Sequence, residues 1–168
     1  VMDKCISSAI DRAKLIVESH ETRFILENSP PDPTRYNLGD HPEHFTDYPH
    51  EFCFDLGHNF LAHRYHGFSL PSFLEKYGRR VLEVHIHTNK GNVPQDGVTR
   101  RDRGIGDLHA IPSLNPDAVD PVLDMIKDWQ LISVFEIKPL TRDNLRACIA
   151  YIINRGIHLK ILPGFLPV

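Results

Sequence analysis

Apolar residues in this chain recur at two different periods, and the periods alternate along it. Residues 4–18 place Ile6, Ala9, Ile10, Ala13, Ile16 and Val17 on one helical stripe. Arg23–Leu26 reads as a short strand ending at Glu27-Asn28. A proline-rich loop, SPPDPTRYNLGDHP, follows, and residues 42–48 can form a short helix. Glu51–Leu56 (EFCFDL) is the next strand, broken by Gly57. A short helix fits within Leu70–Tyr77, with Gly78 as its stop. Arg80–His87 (RVLEVHIH) is a third strand, and Thr88–Ile111 a long polar loop. Asn115-Pro116 resembles a cap and first turn. That helix runs to about Trp129, with Pro121 able to delay its start. Ser133–Ile137 is a fourth strand. Thr141 can cap a helix carrying Leu145, Ile149, Ile152 and Ile153. Ile157–Leu162 is ambiguous between strand and coil.

Strand and helix thus alternate, and the strands are short and almost wholly apolar. This pattern predicts an α/β fold with parallel strands covered by helices and joined by right-handed crossovers. No linker divides the chain, so residues 1–168 read as a single domain.

Composition narrows the class without naming it. The chain is 41% hydrophobic and 24% charged with a net charge of −3, ordinary for a globular protein. Nothing globally basic suits a nucleic-acid backbone; Arg100, Arg101 and Arg103 form the only basic cluster, a solvated loop or a phosphate contact. Cys5, Cys53 and Cys148 lack metal spacing and read as reduced, which fits a cytoplasmic location. No stretch reads as a signal peptide or a membrane span.

The chemistry gathers at the strand ends. Glu27 ends the first strand. Asp55 ends the second, with His58 beyond it. His85 and His87 end the third, Asp107 and His109 lie in the following loop, and Glu136 is in the fourth strand. In a closed parallel barrel those ends converge on one mouth. Carboxylate and imidazole without thiolate suit a divalent metal: Zn or Mn, with Mg, Co or Fe also accommodated. Asp107-x-His109 can aim two side chains at one ion from an extended segment, and Asp55-x-x-His58 can do so over a glycine turn. Any one histidine is more often a hydrogen-bonded core residue. A carboxylate inside an apolar strand, as at Asp55 and Glu136, needs a cation. His20, His41, His44, His50, His63, His66 and His158 read as loop or turn residues, and Arg35 and Tyr36 as a solvated loop.

The segments LEN (26–28), FDLGH (54–58), VHIHTN (84–89), GDLH (106–109) and FEIKP (135–139) together resemble the xylose-isomerase-like barrel superfamily. That superfamily holds sugar isomerases and epimerases and the apurinic-site endonuclease IV family. The resemblance implies a (β/α) TIM-type barrel, of which this chain supplies about four C-terminal βα units. The epimerase-type members imply one metal on Glu27, Asp55, His85 and Glu136. Glu27 and Glu136 would also be the catalytic acid–base pair, moving a proton beside a carbonyl of a sugar or sugar phosphate. His58, with His87 and Arg103, would contact that substrate. The endonuclease-type members imply a trinuclear zinc site on Glu27, Asp55, His58, His85, Asp107, His109 and Glu136, acting on a phosphodiester of DNA.

The sequence departs from the family in two ways. Four βα units cannot close an eight-stranded barrel, so the chain either belongs to a longer protein or pairs with another half. It could also be a half-barrel that serves only as an interaction module. The loop SPPDPTRYNLG and the segment AIPSLNPDAVD lack expected glycines, the first of which moves the reading from endonuclease toward isomerase.

Overall fold

The computed structural model describes residues 15, 25–28, 30, 51–66, 71–89, 107–129 and 131–157. Among these, four strands form one parallel sheet in the order β1 (Ile25–Glu27), β2 (Glu51–Asp55), β3 (Val81–His85), β4 (Ile132–Val134). Between and after them lie helices α1 (Leu56–His66), α2 (Ser72–Tyr77), α3 (Pro116–Ile126) and α4 (Arg142–Asn154). The protein is therefore α/β with neighbouring parallel strands in chain order. The helix expected over 4–18 and that over 42–48 lie outside the described residues, except that Leu15 is helical and exposed. So do Cys5, most of the 88–111 loop with its arginines, and nearly all of 157–162.

Helix α1 is the element the hydrophobic pattern did not reveal. Leu56, Gly57, His58, Phe60, Leu61 and Ala62 are all buried, so its first two turns have no polar face and no stripe. It starts directly at the end of β2, where a strand residue and a glycine break were expected. His63 and His66 therefore sit on this helix and not in a loop.

Helix α3 follows its pattern closely. Ala118, Val119, Val122, Leu123 and Ile126 face the core, and the helix begins at Pro116. Pro121 does not delay it; the residue is exposed, on the face away from the core. Thr141 caps α4 as expected, its side-chain oxygen accepting from the Asn144 amide at 3.2 Å.

The core lies on one face of the sheet. Leu26, Phe52, Phe54 and Val84 pack with Val119, Leu123 and Ile152 from the helices. Each such side chain contributes about 1.5–3 kcal/mol on burial. Glu27, Cys53, Asp55, Glu83 and His85 occupy the alternate positions. The register slips once, pairing Phe52 with Val81 but Cys53 with Glu83, so Leu82 is an extra residue. Strand β4 is shorter than expected, ending at Val134, and its Ile132 and Val134 remain exposed. Among the described residues no helix is long and apolar enough to cross a membrane.

Candidate metal centre at the carboxyl ends of the strands

All seven expected ligands are described, and all lie at the carboxyl end of the sheet. Glu27, Asp55 and His85 are the last residues of β1, β2 and β3, and Glu136 follows β4 by two residues. The local fold accounts for this. Asn28, just past β1, bridges to β2: its side-chain oxygen accepts from the Asp55 amide at 2.7 Å and its amide donates to the Asp55 carbonyl at 2.9 Å. These bonds extend the pairing of β1 with β2 by one step. Asp55 then caps α1, accepting from the His58 backbone N–H at 2.7 Å. The Asp55-x-x-His58 pair is thus the first turn of a helix, not a loop turn.

His85 Nδ1 is the focus of the first cluster. It stands 3.6 Å from Glu27 Oε1, 3.6 Å from Asp55 Oδ2 and 3.5 Å from Glu136 Oε2. It is buried and has no hydrogen-bond partner. Its other nitrogen, Nε2, donates to Glu83 Oε1 at 2.9 Å, so in the neutral ring Nδ1 is the bare, lone-pair-bearing atom. A carboxylate anchoring the far nitrogen is the usual support of a metal-binding imidazole. Three carboxylate oxygens stand 3.5–3.6 Å from this one nitrogen, and carboxylate and imidazole are the donors that a divalent ion takes. The residues present therefore fit a divalent metal.

A second cluster adjoins the first. His58 Nδ1 donates to the Asn28 carbonyl at 2.8 Å, and His109 Nδ1 donates to the Glu136 carbonyl at 3.0 Å. Their bare Nε2 atoms converge on Asp107 Oδ2, at 2.8 and 2.6 Å. Two lone pairs aimed at a carboxylate oxygen repel unless a cation, a second proton on each ring or a metal, stands among them. His109 holds a positive φ of 47°, unusual for a side chain other than glycine. It is kept there by its imidazole bond and by the Lys138 amide, which donates to its carbonyl at 2.7 Å. Lys138 itself is exposed.

The electrostatics agree with the geometry. Burial alone would raise the Asp55 pKa, but His85, His87 and His58 hold it well below the usual carboxylate range. Burial opposes charge on Asp107 as well, yet His58, His87 and His109 bring it down to about 2. Burial would lower the His85 pKa, and the surrounding Asp55, Cys53 and Glu27 instead raise it strongly. His58 is raised against burial by Asp107 and Asp55. This pocket of negative charge attracts any cation. Cys53 lies close enough to Glu27 and His85 to share an ion with them, although its thiol is shifted upward by burial.

Four residues carry more than their sequence context suggests. His87, expected to touch substrate, is 0% exposed, with Nε2 at 2.9 Å from both Asp55 oxygens. The side chain orients Asp55. Gly57 makes room for it: a Cβ there would lie 2.1 Å from His87 Cε1. Asn89 ties the loop down, donating to Gly57 O at 3.0 Å and Asp107 Oδ1 at 3.2 Å and accepting from the Leu108 amide. Glu83 is the fourth. Asn28 and Asn89 stand inside LEN and VHIHTN, where a polar amide directly after an apolar strand was the available signal. Arg103 lies outside the described residues. Glu27 and Glu136, with side chains 41% and 34% exposed, are the most accessible of the seven ligands that these ion pairs include.

The buried His and Asp groupings can hold a metal ion. No family model, no curated protein and no solved structure matches the chain.

Proposed function

We propose that this chain carries the divalent-metal centre of a xylose-isomerase-like barrel enzyme, and that its reaction is isomerisation or epimerisation of a sugar or sugar phosphate. The observation that carries the reading is His85 Nδ1, bare and buried, facing one carboxylate from each of three other segments at 3.5–3.6 Å. Glu27, Asp55, His85 and Glu136 would hold the ion, most simply Zn2+ or Mn2+. A bound metal polarises the substrate's carbonyl and hydroxyl oxygens and so acidifies the adjacent C–H. Glu27 and Glu136 are the accessible carboxylates on the open side of the centre. They serve as the acid–base pair, one removing the proton and the other returning it. Asp55 stays ionised under His87, and Glu83 keeps the His85 ring oriented.

One observation favours a second reading, a zinc-dependent phosphodiesterase resembling apurinic-site endonuclease IV. His58, Asp107 and His109 come together beside the first cluster, and phosphodiester hydrolysis uses adjacent ions to activate water and hold the leaving oxygen.

The test is a pair of measurements on the purified full chain. Elemental analysis is expected to give a stoichiometric divalent metal that Glu136→Gln loses. Incubation with aldoses, ketoses and their phosphates in D2O is expected to introduce deuterium at the carbon beside the carbonyl. Cleavage of an abasic-site duplex without any such exchange would replace the isomerase reading with the second one. A chain free of metal would sink both and leave an interaction module.

A further inference from the structure

The ligand face of the sheet carries a thiol one layer beneath the metal centre, and neither reading above gives it a role. We propose that Glu27, Cys53 and His85 form a site for a soft, thiophilic cation such as Cd2+ or Cu+, and that an ion held there empties the centre above it. The site differs from that centre by its sulfur donor and by leaving out Asp55 and Glu136. Its existence stands on its own geometry; the displacement rests on the metal centre proposed above.

Three observations carry it. First, one donor atom from each of Glu27, Cys53 and His85 lies within 4.8 Å of the others. Second, the strand pairing builds a lower layer. Glu27 stands opposite Cys53 and Cys53 opposite Glu83, while Asp55 stands opposite His85. Cys53 and Asp55 share a face, so Cys53 sits about 6.6 Å further down the strand. His85 leans toward that layer, with Nε2 on Glu83 Oε1 at 2.9 Å. Its Nδ1 is buried without a hydrogen-bond partner, 3.6 Å from Glu27 Oε1. Third, Cys53 is a free thiol, 3% exposed. A buried cysteine normally serves as a small hydrophobe, yet this one faces Glu27, Glu83 and His85 and not the hydrocarbon core.

Ligand softness separates the two layers. Three carboxylates and one imidazole make the upper centre hospitable to harder ions, whereas thiolate sulfur selects soft ones. A soft ion entering the lower layer forms a metal–sulfur bond as the S–H bond breaks, and the proton passes to solvent; nothing is oxidised or reduced. Glu27 and His85 belong to both sets. A carboxylate can bridge two ions, but His85 Nδ1 has a single lone pair and serves one ion at a time. An ion on Cys53 therefore draws His85 away from Asp55 and Glu136. The centre above is left with oxygen donors alone and without its one nitrogen.

Cadmium absorption reads this in the full chain carrying Cys5→Ser and Cys148→Ala, which leaves Cys53 as its one thiol. Titration with Cd2+ is expected to raise an ultraviolet sulfur-to-cadmium charge-transfer band that saturates at one equivalent, and to release bound Mn2+. Adding Cys53→Ser should abolish the band, while adding Glu136→Gln should abolish Mn2+ binding and keep it. If Cys53→Ser fails to fold by circular dichroism, Cys53→Ala must abolish the band, and cadmium NMR of the wild-type chain must show a sulfur-ligated resonance. The proposal is overturned by a folded Cys53-only chain without the band, by a band that survives Cys53→Ser, by its loss in folded Glu136→Gln, or by Mn2+ that stays bound once the band has saturated. In each of these cases Mn2+ binding that Glu136→Gln removes leaves the upper centre standing. A band in a chain whose Mn2+ and Zn2+ binding Glu136→Gln does not change sinks the upper centre and leaves this site.

Discussion

Replacing Gly57 with alanine would place a methyl carbon 2.1 Å from His87 Cε1, 2.3 Å from Nδ1 and 2.7 Å from Nε2. Alanine should favour the helix by about 1 kcal/mol, because Gly57 lies in the first turn of α1 and glycine is a poor helix former. Against that stands a ring that cannot swing away: His87 is fully buried, bonded to Asp55 and stacked on His109. Overpacking a filled interior costs about 1–3 kcal/mol. Breaking a hydrogen bond to a charged partner costs about 1.5–3 kcal/mol more. The net expectation is a loss of about 1.5–5 kcal/mol, measured by urea unfolding at neutral pH. The cause can be isolated by a cycle with His87→Ala, since Gly57→Ala should cost little once the ring is gone. A Gly57→Ala chain as stable as the parent, or an equal cost in both backgrounds, would refute the reasoning.

Two further outcomes follow from the same packing. Glu83→Gln should weaken metal affinity by about 10–100-fold, because the anchor of His85 Nε2 is lost while every direct ligand remains; competition with a chelating dye checks this, and unchanged affinity would count against Glu83 as the support of His85. Asp107 has a pKa of about 2 in the fold against an ordinary value of 3.8. Its folded value is the lower, so its stabilisation is present above about pH 4 and is lost as pH falls through about 2, amounting to about 2 kcal/mol. Acid titration of chelator-treated chain, compared with Asp107→Asn, should show the parent losing its advantage in that window.

The strand-helix alternation was readable because β2, β3 and α3 bury apolar residues at their own periods. The candidate ligands were readable because a carboxylate inside an apolar strand, as at Asp55, is costly to bury unless a cation stands beside it, and because imidazoles and further carboxylates recur at the same strand ends. Helix α1 was not readable, since both of its faces are buried at the start and periodicity vanishes when there is no polar side. Asp107 and His109 were expected to meet through an extended backbone. They meet instead through the left-handed turn at His109, which no local preference of histidine dictates. The support of the site was hidden for a different reason. Glu83, His87 and Asn89 act through partners 2, 32 and 18 residues away respectively, at His85, Asp55 and Asp107, and only the folded sheet specifies which acceptor each nitrogen finds.

The slip in register at Leu82 has a consequence for how this site tolerates change. Before it, Val81 belongs to the core; after it, Glu83 and His85 stand beside Cys53 and Asp55 while Val84 returns to the core. In an uninterrupted strand Val81, Glu83 and His85 would all point the same way. Leu82 is thus the residue that the alternation does not count. A deletion of Leu82 leaves every later side chain on its own face. A deletion of Glu83 or Val84 leaves Leu82 to be counted or exchanges hydrocarbon for carboxylate across the sheet. Loss of Leu82 therefore shortens the strand without the candidate ligands and the core trading sides.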